Sequence, residues 1–174
     1  QLRLIVVPRH FERAAEAVRD LQTLGLTTVR RSQVQPDRAS RSLVPPDALV
    51  VDSTGELRSF YVHATVVFIG KSLLAKGGQN PIEPAALGRA MVAGPHMDNF
   101  KWVIEDLKTH RAIVQVTDEA GLEEAAAQLL SHPELRETLG ARARQVVESN
   151  AGGLQQTIDL LAHRILSSPR APSP

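Results

Sequence analysis

Short β-branched runs ending in turn residues recur along this chain with helical stretches between them, and this alternation narrows the fold more than any other feature. Residues 2–7 form such a run and close at Pro8, while 27–30 and 49–52 are briefer ones. Residues 65–69 open on Thr65 and continue as an apolar, largely β-branched run, which predicts a buried strand. Residues 90–93 and 113–116 complete the set of strands. Between the first two strands, Ala14, Val18, Leu21 and Leu24 fall on one face of a helix that ends near Gly25. Residues 57–63, 81–87 and 99–108 read as further helices, so the pattern predicts an α/β domain with a parallel sheet and helices on its faces.

The C-terminal third is helical. Thr117 is placed to cap a helix with Asp118 and Glu119 in its first turn, and Pro133 suits the first position of the next. A third helix is expected after Gly152 and Gly153. The Ser- and Pro-rich segment 32–46 reads as a surface loop, and 167–174 as a disordered tail. At 174 residues, one domain spanning 1–166 is the natural organisation. The chain enters an apolar run at Leu2, which reads as the start of a fragment with its N-terminal part missing.

Composition excludes several classes. A net charge of +1 and 3% aromatic residues argue against nucleic acid as a partner. Without cysteine there is neither a disulfide framework nor a thiolate metal site, and the six histidines have no metal-ligand spacing, so no metal or cofactor is expected. No apolar stretch approaches the roughly 18 residues of a membrane span. The expected compartment is the cytoplasm, with this fragment soluble.

The chemistry-bearing segments follow the strands. Gly77-Gly78-Gln79-Asn80-Pro81-Ile82-Glu83 comes after the strand 65–69 and its loop, at the carboxyl edge where parallel sheets bind ligands. Its glycines let backbone amides approach a phosphate, the helix start at Pro81 adds unpaired N–H groups, and Glu83 can accept from both ribose hydroxyls. The same Asn80, Pro81 and Glu83 also spell a capping box, and both readings stand. Gly70-Lys71-Ser72 lacks the first glycine of a Walker sequence, so Lys71 is either a solvated cation or a contact to an anion. Pro8-Arg9-His10 ends the first strand, where Arg9 is either a surface residue or a bidentate phosphate ligand. In Asp52-Ser53-Thr54-Gly55-Glu56-Leu57, a turn that could present backbone groups to a base is also a helix start with Ser53 as cap and Glu56 answering it. Gly94-Pro95-His96-Met97-Asp98-Asn99-Phe100 reads as a tight turn into a helix, with His96 structural. No hydrolase triad context is present.

In order and spacing, Val7-Pro8-Arg9-His10 with Glu12-Arg13, the segment 52–57, the segment 77–83, and Gly94-Pro95-His96 with Asn99-Phe100 resemble the C-terminal half of 3-deoxy-D-manno-octulosonic acid (Kdo) transferases. The resemblance covers the chain to about Leu161. It implies the C-terminal half of a GT-B type glycosyltransferase, a Rossmann-like parallel sheet with helices on both faces. The family's enzymes transfer Kdo from CMP-Kdo to a lipid A precursor in lipopolysaccharide biosynthesis, with inversion, at the cytoplasmic face of the inner membrane. It also implies CMP-Kdo contacts at Pro8 and Arg9, at Thr54, Gly55 and Glu56, and at Asn80, Pro81, Ile82 and Glu83.

Two departures stand out: the family commonly has Gly-Asp-Thr at Val51-Asp52-Ser53 and a glycine at Lys71. The family's general base is a glutamate of the N-terminal acceptor domain, which is absent from this chain, so no catalytic residue is assigned. A sugar-nucleotide 2-epimerase domain and a non-catalytic nucleotide-sugar binding module remain alternatives.

Overall fold

The computed structural model describes residues 2–34 and 45–166, with the backbone alone for residues 152–166. Most of the expected loop 32–46 and the whole of the expected tail 167–174 lie outside the described residues. The chain divides after Phe60 into two compact units.

The first unit contains β1 (Leu4–Val6), α1 (Ala14–Thr23), β2 (Thr28–Arg30) and β3 (Ala48–Val50). Its strands form a parallel sheet in the order β1-β3-β2, with Val6 and Arg30 both in register with Val50. Three-residue strands suffice because α1 covers β2 and β3, burying Ala14, Ala48 and Val50. Leu24 leaves the expected apolar face. It lies beyond the end of α1, where Gly25 turns the chain at φ +78°, and is 75% exposed. α2 (Leu57–His63) has the expected bounds and spans the division between the units.

The second unit contains β4 (Val66–Ile69), α3 (Ile82–Ala86), β5 (Ala90–Ala93), α4 (Lys101–Thr109), β6 (Val114–Gln115), α5 (Glu119–Ser131) and α6 (Pro133–Leu166). Its sheet is again parallel, in the order β4-β5-β6. β5 is the centre of the core. Met91 and Ala93 pack on one face with Val67, Ile69, Ile104 and Leu107, while Ala90 and Val92 pack on the other with Ala125 and Leu129. The period-two alternation of a strand thus buries both faces, and each fully buried side chain the size of Leu107 contributes about 1.5–3 kcal/mol.

Four local expectations are corrected. Phe68 is 41% exposed, so β4 is not buried on both faces: Val67 and Ile69 are buried in one core cluster, while on the other face Val66 is only partly buried against the second cluster and Phe68 is left uncovered. The cap of α5 is Asp118 rather than Thr117, because the Asp118 carboxylate accepts from the Gly121 amide at 2.8 Å. Asn99 stands in a 3-10 turn, Asp98–Phe100, ahead of α4. No new helix follows Gly152 and Gly153, since α6 runs through both. Two glycines cost about 1 kcal/mol each in a helix, which the good helix formers around them can offset.

The position of α6 depends on another glycine. Gly140 faces the backbone of Gly88, and a Cβ at Gly140 would fall 2.0 Å from the Gly88 carbonyl oxygen. Helix propensity alone predicts that alanine stabilises at both Gly121 and Gly140. Packing predicts opposite outcomes: Gly140→Ala lowers unfolding stability in urea by about 1–3 kcal/mol because backbone must move. Gly121→Ala, whose nearest neighbours would lie at 3.4 Å, has little effect or stabilises.

Candidate functional site

In the first unit the candidate residues lie at neighbouring strand ends. The Val51 amide donates to the Val6 carbonyl at 2.9 Å, holding the exits of β1 and β3 in step. Arg9 is exposed and makes no hydrogen bond or ion pair among the described residues, so its guanidinium is free for an anion. Pro8 is half-buried, and its ring restricts the backbone of Val7 before it. Thr54 and Gly55 are exposed on the turn after β3, and Gly55 takes φ +81°, a conformation suited to glycine.

Glu56 is occupied within the chain. Ser53 donates to its carboxylate, and Arg31 donates from Nη2 at 3.0 Å and from Nε at 3.2 Å. The hydrogen bond from Ser53, with the Arg31 charge added, holds the Glu56 carboxyl below its ordinary range. Asp52 accepts from the Ser32 hydroxyl at 2.6 Å and the Ser32 amide at 2.9 Å, and its carboxyl is lowered chiefly by that hydroxyl. Ser53 is therefore not the cap of α2. The amides of Ser59 and Phe60 donate to the Glu56 carbonyl, which puts Glu56 at the helix start. Arg31 and Ser32 were not singled out in the sequence. Their only signal is that they directly follow β2, as Asp52 follows β3.

In the second unit the loop 70–79 leaves β4 and returns towards α3. The Gly78 amide donates to the Lys71 carbonyl and the Gln79 amide to the Gly70 carbonyl, both at 3.0 Å. These two amides close the loop and are not open to a ligand, contrary to the expectation for Gly78. What the glycines provide is room: a Cβ on Gly78 would fall 2.3 Å from the Met97 sulfur. Ser72 anchors the loop from inside. Its side chain is fully buried, its Oγ donates to the Ile69 carbonyl at 2.5 Å, and it accepts from the Gly94 amide at 2.8 Å.

The capping box expected of Asn80, Pro81 and Glu83 is not formed, because Pro81 rather than Asn80 is the N-cap of α3 and has no side-chain cap hydrogen bond. Asn80 Oδ1 accepts from the Ile82 amide at 2.9 Å, while Asn80 Nδ2 donates to Glu83 Oε1 at 3.2 Å, so the glutamate answers the side chain. Pro81 is buried between them and Ile82 partly buried. Glu83 is exposed, and one bond leaves most of its acceptor capacity open. α3 has only five residues, too few for a large dipole at its start. Burial raises the Tyr61 hydroxyl above its ordinary value, and the Glu83 charge adds to the shift.

The backbone amide of His96 donates to the Ser72 carbonyl at 2.9 Å. Among the described residues no three His, Asp or Glu side chains are grouped to hold a metal ion. Two surface hollows of about 470 and 410 Å3 are lined by residues of α4, α5 and α6, and by none of the candidate residues.

Two outcomes follow from these contacts. Ser72→Ala leaves the Gly94 amide without its acceptor in a buried place and lowers stability by about 1–3 kcal/mol, read by urea unfolding. Asp52 and Glu56 have folded pKa values below the unfolded 3.8 and 4.5, so their contribution is complete above that range and is lost as pH falls through the folded values. The melting temperature should therefore drop below about pH 4, and Asp52→Asn should flatten that drop in a pH series of thermal melts.

No protein-family model matches the chain. It is 34% identical over 158 residues to the 3-deoxy-D-manno-octulosonic acid transferase of Bordetella pertussis, covering 91% of this chain and 36% of that protein. To the enzyme of the same name from Haemophilus influenzae it is 35% identical over 164 residues, covering 92% and 36%. The chain thus spans about a third of the length of the curated relatives it matches. Among solved structures, it is similar to the C-terminal CMP-Kdo binding domain of WaaA from Acinetobacter baumannii, with a TM-score of 0.74 and 35% identity over 84% of this chain and 74% of that one. The fold is accordingly that of the C-terminal half of a GT-B glycosyltransferase, and the chain belongs to the 3-deoxy-D-manno-octulosonic acid transferase family.

Proposed function

We propose that this chain is the donor-binding domain, residues 1–166, of an inverting glycosyltransferase that transfers Kdo from CMP-Kdo to a lipid A precursor. The observation that carries this reading is the likeness to the CMP-Kdo binding domain of WaaA over 84% of the chain. The expected contacts have chemistry that suits the donor. Arg9, free at the end of β1, pairs with the CMP phosphate and stabilises the charge it carries on leaving. The turn at Thr54 and Gly55 offers its backbone to the base, while Glu56 keeps that turn in shape through Ser53 and Arg31. Asn80, Pro81 and Ile82 hold Glu83, whose open acceptor capacity takes the ribose hydroxyls.

On this reading the general base comes from an acceptor domain of the full enzyme, which works at the cytoplasmic face of the inner membrane. No helix among the described residues is long and apolar enough to cross a membrane. Calorimetric titration with CMP and with UMP tests the donor. CMP should bind more tightly, and Arg9→Ala should weaken CMP about tenfold, the loss of about 1.4 kcal/mol. Equal affinity for the two nucleotides, or no binding of either, overturns the reading.

A further inference from the structure

Lys71 has left-handed backbone, φ +58°, a region that costs a side chain about 1 kcal/mol or more and that glycine enters freely. The lysine is thus accepted against a backbone preference. Strain of this kind persists where the surroundings over-determine it, here through the bond from the Gly78 amide to the Lys71 carbonyl. The side chain occupies an informative place. Lys71 Nζ lies 3.8 Å, and Asn99 Nδ2 3.0 Å, from the point a Cβ on Gly77 would take.

Neither side chain has a hydrogen bond or ion pair among the described residues. Two exposed side chains that can donate therefore stand close to one point over Gly77. The glycine keeps the space open, since any side chain there would press on the Asn99 amide, and its φ of +114° disfavours one. The Asn99 amide donates to the Gly77 carbonyl at 3.3 Å, which holds the two segments together. Lys71 stands two residues beyond the end of β4, and Asn99 follows β5, so the pair lies at the carboxyl edge of that sheet.

We propose that Lys71 and Asn99, close to one another over Gly77, form an anion-binding pair that takes a phosphate group of a ligand bound at this edge of the second unit's sheet. This rests on the donor reading above and adds a positioning and specificity contact beyond it. Lys71 supplies charge and Asn99 a directed N–H.

Titration of the 174-residue chain with CMP and with cytidine, for the wild type, Lys71→Gly and Lys108→Met, provides the test. Glycine suits φ +58°, so the first variant keeps the backbone. Lys108 pairs with Glu105 on α4, so the second removes an equal charge elsewhere. Lys71→Gly should weaken CMP about tenfold and leave cytidine unchanged, a difference of about 1.4 kcal/mol. Lys108→Met should change neither. Unchanged CMP affinity in Lys71→Gly, or an equal loss in Lys108→Met, overturns the pair while leaving the donor reading intact. If neither CMP nor cytidine binds the wild type, the donor reading falls and inorganic pyrophosphate decides the pair by amide NMR. Shifts at Gly77 and Asn99 that vanish in Lys71→Gly support it, and no such shifts overturn it.

Discussion

The candidate site in the second unit depends on one buried hydroxyl. Among the described residues Ser72 is the polar side chain that is fully buried, and its Oγ both donates to the Ile69 carbonyl and accepts from the Gly94 amide. A lone hydroxyl in a core is costly unless both capacities are used, and here both are. The result ties the exit of β4 to the exit of β5. Gly94 fits because it has no side chain, since a Cβ there would lie 2.2 Å from the Ser72 carbonyl oxygen. Once those exits are joined, Met97 packs against Gly78 and the Asn99 amide reaches the Gly77 carbonyl, so the loop carrying Lys71 has little freedom left.

The first unit uses a different device for the same task. There the strand exits are joined by charged and hydroxyl groups on the surface: Ser32 to Asp52, and Arg31 with Ser53 to Glu56. These bonds are exposed or half-buried, so each contributes less than a buried one and responds to pH. They leave Arg9 unpaired beside them. Arg9, an exposed cation without a partner among the described residues beyond the end of β1, is suited to an incoming anion.

Much of the fold was legible in the sequence because parallel α/β architecture writes itself locally. The bounds of α2 and β5 are as read, and the apolar runs marked the other strands to within a residue or two, whereas the apolar face of α1 loses Leu24 beyond the helix end. The misses share a cause. Thr117 and Asp118 are both good caps, and only the direction of the chain leaving β6 selects the second. Phe68 has the same apolar character as Val67, and which face of β4 is covered depends on helices far along the chain. The pair Gly152 and Gly153 looks like a break, yet helical context overrides two unfavourable propensities.

The sequence by itself determined the α/β class, the strand ends that bear chemistry, and a family pattern made of short segments whose order is more telling than any one of them. Tertiary structure decided which groups remain available for a ligand. Glu56 and the amides of Gly78 and Gln79 are consumed by bonds within the chain, Glu83 is partly engaged by Asn80, and Arg9, Lys71 and Asn99 stay open. The physical reason is that hydrogen-bonding capacity is finite. A residue type states what a group can donate or accept, but only the packed chain determines how much of that capacity its own neighbours have already taken.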